Sequence, residues 1–260
     1  MILTKAISCF ENIECFSTSK QQEEEELCRN QCLPDHIQFS QHYDLGCKHQ
    51  SEGNYHLAVQ CFQQSLQIDA LSTKVNFNLG EIFLNEYRAM EEAIKYFTQV
   101  IRVDPKHHDA HFNLGFIHFQ KNNLSAALRH FREASILRDN DVASWTNVGL
   151  VLQELGDTTG AIQANLKAIS ADSKFEAAYY NLGNLYYEIG KYDEAIAVFL
   201  KVLQLNPRHI DAAFNLGVAY QEKGDKGKAL KSYETSLKIN PSLVEAEVAI
   251  IEIKSFLPSK

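Results

Sequence analysis

The chain has 260 residues, 45% of them apolar, and a formal net charge of -8. Its longest apolar runs, such as AIAVFL and VEAEVAII, fall far short of the roughly 20 residues of a membrane-spanning helix, so membrane insertion is not expected. The acid excess argues against nucleic acid as a partner, because phosphate binding takes clustered Lys and Arg.

In chain order, MILTKAISCFENIECF comes first and places Leu3, Ile7, Phe10 and Ile13 on one helical stripe. Its apolar core is brief and no small-residue cleavage site follows, which argues against export. The polar stretch STSKQQEEEELCRNQCLPDH comes next, and its acidic run reads as a solvated linker or helix face. Residues 1–38 are therefore expected to form a helix and an acidic linker. All six cysteines (Cys9, Cys15, Cys28, Cys32, Cys47, Cys61) lie in the first quarter of the chain, so they cannot staple the rest, and reduced thiols in the cytoplasm are expected. Cys28 and Cys32 have the spacing of half a metal site, but no matching second pair follows; no metal and no cofactor is expected.

From residue 39 to 241 the chain repeats itself. Gly46, Gly80, Gly115, Gly149, Gly183 and Gly217 are separated by 34, 35, 34, 34 and 34 residues. An alanine follows each at a fixed distance (Ala58, Ala127, Ala161, Ala195, Ala229), with Ala93 one residue late in the second repeat. That places a one-residue insertion in the turn around Tyr87 and Arg88. Four residues on stand Phe62, Phe97, Phe131, Phe199 and Tyr233, with Asn165 as the exception. Each unit reads as two amphipathic helices joined by a turn carrying Gly53, Asn122, Gly156, Gly190 or Gly224, residues that tolerate left-handed backbone. Small residues on both helices let the backbones approach, and the aromatic fills the space beside them. One hairpin cannot bury its apolar face alone, so successive hairpins must stack. After Pro241, SLVEAEVAIIEIKSFL reads as a terminal helix over 242–260 that covers the last face.

These residues and their period resemble the tetratricopeptide repeat family. The match is fullest in AAYYNLGNLYYEIGKYDEAIAVFLKVLQLNP, through Tyr179, Leu182, Gly183, Tyr186, Ala195, Phe199 and Pro207. His42 and His111 depart from the pattern at its first aromatic, Asn165 at a later one, and Ala70, Asp139 and Ser173 at its proline. The resemblance implies an all-α fold: an α-solenoid of about six helix-turn-helix repeats wound as a right-handed superhelix, closed by a C-terminal capping helix. It also implies a protein–protein interaction module with a concave groove and no enzymatic activity.

The residues offer little for catalysis. There is no phosphate-cradling loop, nucleophile elbow or zinc-protease helix motif. His107, His108, His111 and His118 are read as packing or helix-start residues, since His111 and His118 take aromatic slots.

The feature left over is an asparagine two residues before each repeat glycine: Asn78, Asn113, Asn147, Asn181 and Asn215, with Asp44 in the first repeat. The Leu and Gly that follow face the second helix, and the Asn is turned roughly 100° per residue away. Either each amide bonds the adjacent repeat and fixes stacking, or the amides engage the main chain of an extended peptide, since one amide satisfies another at both ends. The row is similar to the asparagine ladder in the repeat domain of O-linked N-acetylglucosamine transferase, which holds extended polypeptides. Beside it stand Phe77, Phe112, Tyr180 and Phe214, rings able to bury apolar ligand side chains. Nearby positions carry Glu81, Asp109, Glu154, Glu188, Asp211 and Glu222 against Lys74 alone, so the expected ligand is a neutral to basic extended protein or peptide segment.

The first functional reading is thus a non-enzymatic adaptor that binds a peptide segment in the groove. The alternative is a structural subunit or self-assembling scaffold, a homo-oligomer, using the convex face and the solenoid ends. Residues 1–35 are expected to fold back, either as a cap or as an occupant of the groove.

Overall fold

The computed structural model describes residues 33–255. The amphipathic stripe at Leu3–Ile13, the acidic run and the Cys28/Cys32 pair lie outside them. Thirteen α-helices follow: α1 (Asp35–Ser51), α2 (Tyr55–Ile68), α3 (Thr73–Asn85), α4 (Met90–Val103), α5 (His108–Gln120), α6 (Leu124–Leu137), α7 (Val142–Glu154), α8 (Thr158–Ala171), α9 (Glu176–Glu188), α10 (Tyr192–Leu205), α11 (Ile210–Glu222), α12 (Lys226–Ile239) and α13 (Val244–Ser255). There is no strand among the described residues. The first twelve helices pair as six hairpins, and the fold is all-α and solenoidal. α1 begins one turn upstream of residue 39, where the periodicity starts the first repeat.

The turns obey backbone sterics. Gly53, Gly156, Gly190, Gly224 and Asn122 all have positive φ between their paired helices. In the second hairpin the connection is one residue longer, and Arg88 takes the left-handed position at φ 52°. The insertion read from the sequence therefore sits where expected, at a local strain of about 1–2 kcal/mol.

Proline matters less between hairpins than its recurrence suggests. Side-chain oxygens of Asp69, Asp104, Asp172, Asn206 and Asn240 accept the N–H two residues on, at 3.1, 3.0, 2.8, 3.0 and 3.1 Å. Each is the C-cap of a second helix. These Asx turns form at Ala70 and Ser173 as readily as beside Pro105, Pro207 and Pro241.

The close approach within each hairpin is the role of the glycine row. A Cβ added to Gly46, Gly80, Gly115, Gly183 or Gly217 would lie 2.5–2.7 Å from the facing ring of Phe62, Phe97, Phe131, Phe199 or Tyr233. Those rings are at most 2% exposed.

The described residues divide between Ala110 and His111 into two compact units, each with its own core. In the first, Phe62, Val75, Leu79 and Ile82 pack together across α2 and α3. In the second, Phe131 packs with Val148 and Val151, Phe199 with Ala212 and Leu216, and Tyr233 with Ala246 and Ile250. Within each unit, a second helix is thus covered by the helix that opens the next hairpin. The last helix, α13, packs on α12 but breaks the pattern. At its glycine position stands Ile251, 66% exposed, which leaves no room for a further ring of the kind that seats on Gly183 or Gly217.

Candidate functional site

The Asn row occupies one register of the first helices. In each, the following Leu or Val (Leu79, Leu114, Val148, Leu182, Leu216) and the glycine are buried, while the Asn is half-buried. The helical offset that turns the amide away from the partner helix is therefore realised. Asp44, at the same position of α1, is exposed.

The five amides differ in what holds them. Asn215 donates to Asn184 Oδ1 at 2.9 Å and to the Tyr180 hydroxyl at 3.3 Å, both on the preceding hairpin. Asn78 approaches Cys47 Sγ at 3.8 Å, also on the preceding hairpin, and hydrogen-bonds the Tyr43 side chain. Asn147 turns back on its own helix and donates to the Ala143 carbonyl at 2.9 Å. Asn113 and Asn181 make no side-chain hydrogen bond to any described residue. The difference has a chemical cause. The residue before the preceding row member is Tyr43 for Asn78 and Tyr180 for Asn215, and a phenol offers an acceptor. For Asn147 it is Phe112, which offers none. For Asn181 it is Thr146, whose hydroxyl is spent on the Val142 carbonyl at 2.8 Å.

The neighbouring aromatics are anchored but not engulfed. Phe77 packs on Phe97 and His107 with centroids 5.6 and 4.9 Å apart, and Tyr180 on Phe199 and His209 at 6.2 and 4.8 Å. Phe112 meets Phe131 edge-on at 5.6 Å, and Phe214 meets Tyr233 at 5.3 Å. All four remain half-buried.

Three helices of the row end on a carboxylate. Glu154, Glu188 and Glu222 are the last residues of α7, α9 and α11, and all three are exposed. A carboxylate at a helix C-terminus opposes the helix dipole, an unfavourable placement of about 0.3–1 kcal/mol each. Glu188 accepts from Gln153 Nε2 at 2.6 Å. Lys74, the one cation expected near the row, is occupied: its ammonium lies 4.0 Å from the Tyr43 centroid and 5.0 Å from that of Phe39.

The histidines fall into the two roles expected of them. His107 Nδ1 accepts from the Ala110 N–H at 3.2 Å and starts α5, as His209 does for α11 at 3.2 Å. His111 and His130 are 7% and 6% exposed, with Nδ1 atoms 3.1 Å apart, and the His118 ring lies parallel to His130 with centroids 5.6 Å apart. Burial, then Arg129, His111 and His118, push the His130 pKa down to about 4. Among the described residues no group of three His, Cys, Asp or Glu is arranged to hold a metal ion.

Sequence reasoning missed the Tyr–Asn ties and the partner Asn184. The signal was there, a tyrosine rather than phenylalanine one repeat upstream, but it becomes readable only when the register between hairpins is known.

Comparison with known proteins bears on this geometry. Family models described as TPR repeat or tetratricopeptide repeat match residues 42–70, 88–141, 149–190, 183–224 and 210–243. No curated protein matches the chain. Among solved structures, the crystal structure of YrrB, described as a TPR protein with an unusual peptide-binding site, is 22% identical over 72% of this chain and 96% of its own, with a TM-score of 0.64. PilF of Pseudomonas aeruginosa is 17% identical over 84% of this chain and 99% of its own, at 0.66. The C-terminal part of a TPR repeat-containing protein from Cytophaga hutchinsonii is 19% identical over 82% and 85%, at 0.69.

Proposed function

Since the chain belongs to the tetratricopeptide repeat family, a family of protein-interaction modules, we propose that it is a non-enzymatic adaptor in the cytoplasm that holds an extended partner segment along its asparagine row. The observation that carries this reading is the pair of half-buried amides, Asn113 and Asn181, that have no side-chain hydrogen bond among the described residues although they share the register of the tied ones. An amide left untied there brings nothing to stacking and is no strong helix former, because its side chain competes for the backbone. It retains both donor and acceptor for another main chain. Asn147 joins them by releasing its own-helix bond, whereas Asn78 and Asn215 serve the stacking.

Neighbouring rungs, about 10 Å apart, meet an extended chain at roughly every third residue. The half-buried rings of Phe77, Phe112, Tyr180 and Phe214 supply apolar contact beside them. The carboxylates ending α7, α9 and α11 favour a neutral to basic segment, and a peptide-binding site is the described feature of the similar YrrB structure. No helix among the described residues is long and apolar enough to cross a membrane.

The test is selection of peptides from a random display library by the full chain, followed by affinity measurement against Asn113→Ala/Asn181→Ala. The selected peptides are expected to be extended and basic, and the double variant to weaken them about tenfold or more, at roughly 1 kcal/mol per lost hydrogen bond. Failure to select any peptide, or unchanged affinity in the variant, contradicts the reading.

One observation favours a second reading, the self-assembling scaffold. On α13, Val244, Val248 and Ile251 form an apolar stripe, 62%, 48% and 66% exposed. If it mates with another copy, molecular mass in solution rises with concentration and Val248→Lys/Ile251→Lys abolishes the rise.

A further inference from the structure

The first compact unit contains a cavity. It holds about 290 Å³ and is lined by Gln50, Tyr55, Glu81, Ile82, Asn85 and Glu86, where the C-terminal ends of α1 and α3 meet the start of α2. Its chemistry is one-sided. Ile82, 1% exposed, makes an apolar floor. The walls carry two carboxylates and two side-chain amides, and the Tyr55 hydroxyl is bonded to Glu86, which holds the phenol proton on and raises its pKa. Neither Glu81 nor Glu86 forms an ion pair with a described Lys, Arg or His. Burial, then the nearby Asp109, hold the Glu81 carboxyl above the usual carboxylate range, so its ionised form is under-compensated.

We propose that this cavity is a binding site for a guanidinium group, the head of an arginine side chain or an arginine-like small molecule. A guanidinium presents five donors in a planar fork that can reach two carboxylates set around one opening, while an ammonium presents three from a point. Of its lining residues Glu81 alone is among the acidic positions near the asparagine row and none belongs to the row itself, so the site goes beyond the peptide-holding reading.

The test titrates the full chain, with ¹⁵N labelling, with N-acetylarginine methylamide and separately with its uncharged citrulline counterpart, following the side-chain amide signals of Gln50 and Asn85. Saturable shifts with the arginine compound alone are expected, weakened about tenfold in Glu81→Gln and also weakened in Glu86→Gln, both substitutions keeping shape. Equal response to citrulline, shifts that never saturate, or unchanged affinity in both folded variants would overturn the site. Because the probe carries a single residue, its failure is separable from failure of the amide row, which Asn113→Ala/Asn181→Ala probes and which leaves this titration unaltered.

Discussion

The hairpins α7–α8 and α9–α10 are built to one plan and differ in two slots. In the core slot facing the repeat glycine, α9–α10 carries Phe199, fully buried, whereas α7–α8 carries Asn165, 1% exposed. Asn165 Nδ2 donates to the Ala161 carbonyl at 2.9 Å, and its Oδ1 is buried with no partner among the described residues. In the groove slot, α9 carries Tyr180, which ties the next amide, and α7 carries Thr146, which does not. Both hairpins nonetheless keep the same helix lengths and the same three-residue turn with a positive-φ glycine. Close packing of Gly on Ala therefore sets the geometry, the aromatic supplies stability, and the groove residue is free to vary for binding.

The largest expected effect separates those roles. Phe199→Ala should destabilise by about 3–5 kcal/mol in urea denaturation, and Asn165→Ala by about 1 kcal/mol or less, because Asn165 brings little apolar burial and an unsatisfied oxygen. Comparable losses at both positions would break the comparison.

The hairpin α5–α6 extends it, since its buried polarity titrates. The unfolded chain takes up the His130 proton near 6.5 and the native one only at about 4. The native state binds fewer protons between those values, so stability is complete above about pH 6.5 and is lost as pH falls towards 4. The loss amounts to about 2–3 kcal/mol. His130→Tyr, which copies Tyr96 at the equivalent place in α4, should remove most of that slope, read from urea midpoints across pH.

Next in size is the glycine itself. A Cβ at Gly183 meets the Phe199 ring at 2.5 Å, whereas one at Gly149 meets the terminal Nδ2 of Asn165 at 2.5 Å. A wedged ring cannot withdraw as an amide can, so Gly183→Ala should destabilise by about 2 kcal/mol and Gly149→Ala by about half that. Equal melting shifts would show that both slots are equally stiff.

The smallest effect concerns the ties. Tyr180→Phe removes the hydroxyl that holds Asn215 and should lower stability by about 0.5–1 kcal/mol, while leaving Asn215 its bond to Asn184.

Much of the fold was legible because its causes are local. The glycine spacing, the positive-φ turn residues and the extra residue at Tyr87 and Arg88 are statements about one helix pair, and a repeating chain makes them several times. Asn165 stood out as an exception for the same reason. The site was only half legible. The register of Asn78 to Asn215 follows from helical geometry, but whether an amide is spent depends on an atom about 34 residues upstream across a packed interface. No single-helix pattern contains that distance. The Asx turns at Asp69 and Asp172 were hidden behind the more conspicuous prolines, although each occupies a C-cap that a side-chain oxygen satisfies as well.

The division of the row into spent and unspent amides is tested most directly by two double variants measured side by side. Thermal midpoint and affinity for a selected peptide would be recorded for Asn113→Ala/Asn181→Ala and for Asn78→Ala/Asn215→Ala. The account predicts that the first pair loses binding about tenfold or more with its midpoint nearly unchanged, and that the second lowers the midpoint. A first pair that binds as well as the parent chain, or weakens only as it unfolds, would contradict it.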